Sequence, residues 1–249
     1  SDTLFAIAIS TDNFATDTRY VQSDMTVGAT LGLEDYQTYA AWGGASGADI
    51  IGLAAGTTYT VKAKAWQGKF TETGYGPTAS VATSDPQLSF DIDVAATDVD
   101  NSVTTLDLGS LPAGSVVTGT NRVWIDLDTN GATGGKVYVS AANSGLYSST
   151  ASHTILSATG NLAALQSGFG AQGASVAQTS GGPLAMVAPY DGSSDTVGVT
   201  DTTIREIFST SAPIVGGRGS FVLKAKSANT TPAAGDYVET LTVIASGSF

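Results

Sequence analysis

The sequence predicts an all-β protein of two β-sandwich domains, the second carrying one short helix. Three observations lead there. Nearly every apolar stretch alternates with a period of two, which marks strands, and not the 3.6 of a helix. Turn signals such as Pro112-Ala113-Gly114, Asn130-Gly131, Gly134-Gly135, Asp191-Gly192 and Gly216-Gly217 separate those stretches. The 249 residues include 30 Gly and are only 13% charged, against roughly 25% in an average soluble chain. Ser and Thr fill much of that gap, which suits a turn-rich β surface.

Along the chain, Phe5, Ile7 and Ile9 alternate with Ala6 and Ala8, and Tyr59, Val61, Ala63 and Ala65 alternate with Thr60, Lys62 and Lys64. Further strand patterns follow at Phe90–Val94, Val103–Leu108, Val123–Ile125, Val137–Val139, Phe221–Leu223 and Leu241–Ala245. Asp201-Thr202-Thr203-Ile204-Arg205-Glu206-Ile207-Phe208 departs from them. An N-cap candidate precedes apolar residues at i, i+3 and i+4, which predicts the single short helix. Leu162 and Leu165 suggest a further helical turn. The boundary is expected at Thr83-Ser84-Asp85-Pro86-Gln87, because Pro86 forces Asp85 to be extended and cannot donate within a central strand. Domain one is then residues 1–85, the linker 86–87 and domain two 88–249.

Ten Lys and Arg against 22 Asp and Glu give a net charge of -12. Nucleic acid is excluded as a partner, since phosphate contacts need clustered cations, and anionic lipid is disfavoured. With no Cys, zinc thiolate sites, disulfides and thiol catalysis are excluded. His153 is the single histidine. No apolar run reaches 18 residues, so no helical membrane span is expected. Low Lys, high Ser, Thr and Gly, and acidity point to an extracellular or cell-surface location. The lack of an initiator Met and of a leader at Ser1 gives the expectation of a mature product or an excised part of a longer chain.

Leu53-Ala54-Ala55-Gly56-Thr57-Thr58-Tyr59-Thr60-Val61-Lys62-Ala63 resembles the E–F corner of a fibronectin type III domain. In that family a Leu, a Gly and a Tyr at this spacing build a tyrosine corner, whose hydroxyl bonds backbone a few residues upstream. Gly74-Tyr75-Gly76-Pro77-Thr78-Ala79-Ser80-Val81-Ala82-Thr83 is similar to the family's F–G loop and strand G, and Leu4–Ser10 to its strand C. The resemblance covers residues 4–84. It also implies a gap, because the family's strands A and B have no counterpart ahead of Leu4. Their loss removes on the order of eight inward side chains, each contributing roughly 1.5–3 kcal/mol when buried. Such a domain is not expected to be stable alone. Three resolutions remain open: the chain is a fragment, the segment folds differently, or a strand of a neighbouring copy fills the gap. Strand donation to an open groove, repeated head to tail, builds a filament.

In the second domain, Ile92-Asp93-Val94, Trp124-Ile125-Asp126-Leu127, Ser180-Gly181-Gly182-Pro183-Leu184, the expected helix from Asp201 and the ending Gly235–Ile244 resemble the C-terminal β-sandwiches of bacterial cell-surface proteins. That resemblance implies location and architecture, and no particular chemistry.

Asp126-Leu127-Asp128-Thr129-Asn130-Gly131 offers the candidate metal site. Asp126, Asp128 and Asn130 are candidate calcium ligands, since Ca²⁺ takes oxygen donors and D-x-D-x-N-G places three beside a tight turn. The twelfth position is Val137, not the Glu of an EF-hand loop. The competing reading is a strand ending in an Asn-Gly turn. Asp91, Asp93, Asp98 and Asp100 form a second acidic group, read either as a calcium site or as a solvated face. Glu34, Glu72, Glu206 and Glu239 are scattered, and His153 has no nucleophile elbow beside it. No enzymatic activity is therefore expected. Trp42, Trp66, Tyr20, Tyr36 and Tyr39 supply either strand packing or an aromatic platform for sugar rings. Lys62 and Lys64 read as solubilising charges on an exposed strand face. The expected function is that of a non-catalytic extracellular structural or adhesive protein, a filament subunit that self-associates with copies of the same chain. The alternative is a carbohydrate-binding module that recognises surface polysaccharide.

Overall fold

The computed structural model describes residues 3–68 and 71–249. The chain divides into two compact units, Ser1–Pro86 and Gln87–Phe249. Every paired strand is antiparallel, and among the described residues helix is limited to two single 3-10 turns, Leu33–Asp35 and Gly44–Ser46.

Unit 1 holds β1 (Thr3–Ser10), β2 (Arg19–Val21), β3 (Val27–Gly28), β4 (Gln37–Thr38), β5 (Thr58–Gln67), β6 (Thr71–Glu72) and β7 (Ala79–Ala82). One sheet results, centred on the β1–β5 pair, which runs from Thr3 opposite Gln67 to Ser10 opposite Thr60. β2 and β4 share the outer edge of β1, while β6 and β7 share that of β5. Residues opposite one another in a ladder point to the same side. One face therefore carries Phe5, Ile7 and Ile9 against Ala65, Ala63 and Val61. The other carries Leu4, Ala6 and Ala8 against Trp66, Lys64 and Lys62.

Unit 2 holds β8 (Leu88–Ala95), β9 (Val116–Thr118), β10 (Arg122–Thr129), β11 (Gly135–Ala141), β12 (Gly145–Ser148), β13 (His153–Leu156) and β14 (Gly160–Asn161). Then come β15 (Gly168–Ala177), β16 (Ser180–Gly181), β17 (Ala185–Met186), β18 (Thr196–Val197), β19 (Arg205–Ser209), β20 (Ile214–Lys226) and β21 (Leu241–Gly247). Two sheets form the sandwich: β15-β20-β10-β8, with β9 and β16 also on β20, and β17-β19-β11-β21. Strict alternation in β10 buries Val123, Ile125, Leu127 and Thr129 while the residues between them reach the outer face. Phe169, Ile125, Leu127 and Phe221 of the first sheet and Val137, Ile207 and Phe208 of the second form one buried core. Phe208 and Phe221 meet across it with ring centroids 6.5 Å apart. Gly219 makes room for that contact, since a Cβ there would stand 3.1 Å from Phe208 Cζ.

Four local expectations are corrected. The short helix expected from Asp201 is absent, and Arg205–Ser209 is strand β19, paired with β11 and β17. A register shift between Val137 and Tyr138 sets Phe208 opposite Val137 and Glu206 opposite Tyr138, leaving Ile207 as the extra residue. Two adjacent apolar residues are thereby buried, which imitates helical spacing in the sequence. Ile204, the first residue of the supposed helical stripe, is 60% exposed. Gly216-Gly217 is likewise not a turn but lies within β20, at an irregularity in its ladder with β10 where Gly216 has φ +60°. Val103–Leu108 forms no ladder. At Leu162 and Leu165 the structure holds only turns, with the Leu165 N–H donating to Leu162 O at 3.2 Å.

Candidate functional site

The apolar face of unit 1 is built by alternation on three neighbouring strands. Tyr59 and Val61 of β5 lie opposite Val81 and Ala79 of β7, which extends the Phe5-Ile7-Ile9 stripe across the sheet. Among the described residues of this unit no second sheet covers that stripe. Ile9 is buried, Phe5, Ile7, Val61 and Ala65 are half-buried, and Ala63 and Ala79 are exposed. Val81, on the edge strand β7, is 69% exposed. The loop before β5 is locked by the Tyr59 hydroxyl, which accepts the Ala54 N–H at 3.0 Å. Thr83 adds its own hydroxyl, which donates to Ala54 O at 2.7 Å.

The opposite face is the better covered one. Ala6 and Ala8 are fully buried there beneath long side chains. Lys62 Nζ stands 3.7 Å over the Phe14 ring and 4.7 Å over that of Tyr75, while Lys64 Nζ stands 5.3 Å from Tyr75 and 5.6 Å from Tyr36. These lysines act as cation–π lids and not as freely solvated charges. Lys64 pairs with Glu72 at 2.6 Å. Burial works against its charge, but bonds to Glu72 and Tyr36 outweigh it and hold the ammonium above its ordinary range. Of the aromatic residues expected as a sugar platform, Tyr36 and Trp66 pack edge to face, 5.2 Å apart and 75° inclined. Trp42 donates from its ring N–H to Phe5 O at 2.9 Å, and Tyr39 is 61% exposed.

The candidate calcium ligands lie in succession on the end of β10. Asp126 pairs with Arg218, which is also 2.7 Å from Asp98. Asp128 accepts the Gly216 N–H, and Asn130 Oδ1 accepts the Gln87 N–H at 2.8 Å. The three oxygens thus serve three different protein donors. A tighter carboxylate group forms next door: Asp91, Asp93 and Asp100 offer oxygens all within 4.8 Å of one another. Asp93 is buried and accepts the Asn101 N–H at 2.7 Å. Asp91 and Asp93 share the outer face of β8, where Asp91 lies opposite Asp126 of β10, and Asp100 joins them from the segment that follows the strand. Three convergent carboxylates have the oxygen chemistry to hold a hard cation.

Other titratable groups pair across strands or hold loops. Glu206 pairs with Lys136 at 2.7 Å, and Glu239 accepts from the Asn143 backbone and side chain. His153 Nδ1 lies 3.2 Å from the Tyr237 hydroxyl, which donates to Pro232 O. Two further aspartates, Asp236 and Asp12, anchor loops. Asp236 gathers the Ser148, Ser149 and Thr150 hydroxyls and the Thr150 N–H. The Ser148 hydroxyl foremost, then the Thr150 N–H, holds this carboxyl far below the usual range. Asp12 is held low in the same way, chiefly by the Thr16 and Ser10 hydroxyls. The local Ser10-x-Asp12-x-x-x-Thr16 spacing was a legible signal for the second of these, whereas Asp236 lies 86 residues or more from its donors.

Among the described residues, no helix is long and apolar enough to cross a membrane. No family model matches the chain, and no curated protein matches it. Among solved structures, a chain of the "Structure of infectious bursal disease virus Gx strain" aligns at 15% identity with a TM-score of 0.19. The alignment covers 98% of this chain and 50% of the viral one, so the chain spans about half of that relative's length. A superposition this weak carries no argument about fold or function.

Proposed function

We propose that the chain is a non-catalytic structural or adhesive subunit of an extracellular surface. In this reading residues 4–84 supply one sheet of a fibronectin type III-like sandwich, and a strand from a neighbouring copy covers its open face. The observation that carries it is the stripe from Phe5 to Val81, apolar on three adjacent strands yet exposed at Ala63 and Val81. A donated strand placing three apolar side chains on that stripe would gain roughly 1.5–3 kcal/mol for each one buried. Because donor and acceptor are different surfaces, the contact is heterologous and propagates.

Electron microscopy and sedimentation of the purified chain test this. Fibres or a concentration-dependent ladder of oligomers are expected, and Val81→Asp abolishes them by placing a charge on the stripe. A folded monomer that persists at high concentration overturns the proposal. The second reading, a carbohydrate-binding module, draws on the exposed ring of Tyr39. It predicts retention on polysaccharide resin that Tyr39→Ala removes.

A further inference from the structure

Unit 2 contains a cleft of about 750 Å³ between the segments 106–113 and 227–241. That volume lies within the roughly 300–1,000 Å³ typical of ligand sites. Its floor is the sandwich core itself: Leu146, Ile155, Phe169 and Leu223 reach the cleft from beneath. All six consecutive residues Leu106–Leu111 line one wall, so the main chain as well as the leucines faces the opening.

That wall has a second property. No residue from Val99 to Pro112 lies in a turn, a bend or a ladder, so the segment runs on without reversing. The backbone groups of Ser102–Ser110 make no backbone–backbone hydrogen bond among the described residues. Among the described residues, only the Val103 and Gly109 amides of this segment find a partner, in the nearby side chains of Asn101 and Asp107. The sequence nevertheless has strand character here, with Leu106 and Leu108 turned onto the core. An apolar floor beside a row of unpaired peptide groups is the arrangement that accepts an added strand. Main-chain bonds hold the guest, and the floor reads its alternate side chains. A small apolar molecule would satisfy the floor alone. The charged residues of the lining are Asp107 and Glu239, both acidic. Beside these two carboxylates a guest bearing Lys or Arg is favoured.

We propose that this cleft binds an extended peptide segment of another protein, apolar at alternate positions and flanked by basic residues. The proposal concerns unit 2 and is independent of strand donation to unit 1.

Fluorescence polarisation with the full chain tests it, using a labelled peptide of alternating Val and Thr with Lys at both ends. Saturable binding is expected. Methylating alternate peptide nitrogens of the probe should weaken it at least about tenfold, as should Leu108→Asp, which puts a charge on the cleft wall. The methylated probe leaves the protein untouched, so that arm decides even if Leu108→Asp fails to fold. Equal binding of methylated and plain probes overturns the proposal in favour of a generic apolar pocket. No binding of either probe overturns it as well. So does chain dimerisation that Leu108→Asp abolishes while the probe stays unbound, which assigns the cleft to a second copy.

Discussion

The two units use the same strand chemistry and end with opposite degrees of closure. In unit 2 the sheets β15-β20-β10-β8 and β17-β19-β11-β21 turn their apolar sides toward each other, and aromatic rings such as Phe169, Phe208 and Phe221 are fully buried. In unit 1 the buried apolar side chains of the described residues are Ala6, Ala8, Ile9 and Val21, and none of them is aromatic. Three of its rings, Phe14, Tyr36 and Tyr75, instead lie under Lys62 and Lys64. The difference teaches that alternation creates an apolar face but does not cover it. A sheet buries its stripe only when a second layer arrives, and without one the chain shields what it can with long amphipathic side chains.

The largest effect should come from breaking unit 2 at its centre. Phe221→Ala removes a fully buried ring between the sheets and should cost about 3–5 kcal/mol, read as a lowered urea midpoint. The two units should then unfold in separable transitions, because only unit 2 loses core.

A smaller effect is expected at the corner of unit 1. Tyr59→Phe deletes the acceptor of the Ala54 N–H and should cost about 0.5–1.5 kcal/mol. Calorimetry should show the shift in the unit 1 transition alone. If the unit 2 transition moves equally, the two units are not independent in stability.

Acid titration sharpens the contrast further. Asp236 is depressed in the folded state, so its stabilising contribution is complete above the unfolded carboxylate range near pH 4. It then fades as the solution is made more acidic, towards the lower folded value. Asp236→Asn should therefore lower the melting temperature at neutral pH, and the gap to wild type should narrow steadily below about pH 4. A gap that widens on acidification would contradict the assigned bonds to Ser148 and Thr150.

The smallest effect belongs to the open stripe. Val81→Asp changes an exposed side chain and should alter the stability of the isolated monomer by less than about 0.5 kcal/mol. That near-silence, set beside complete loss of assembly, would separate an interface residue from a core residue.

Much of the architecture was legible before any coordinates. The strands at Phe5, Tyr59, Phe90, Val123, Val137, Phe221 and Leu241 all announce themselves by alternation, because side chains on an extended chain must point to opposite sides. Asp201–Phe208 imitates a helix because a bulge puts Ile207 and Phe208 inward together, and no local signal distinguishes that from a helical stripe. Val103–Leu108 has the pattern of a strand but, among the described residues, no ladder partner, and a pattern cannot disclose whether a partner exists. At the candidate sites, the acidic run of β8 was visible, but its convergence with Asp100 depends on how the chain returns after Ala95.

The sequence by itself determined the class: period-two apolar patterning, Gly-marked turns and an acidic, Cys-free composition leave an all-β chain of strands and loops. Only tertiary structure decided which stripes found a covering layer, that Arg218 answers Asp126, and that Lys64 lies over tyrosine rings. The reason is physical. Alternation follows from backbone geometry within a few residues, whereas closure and charge pairing join groups far apart in the chain, and nothing local encodes their meeting.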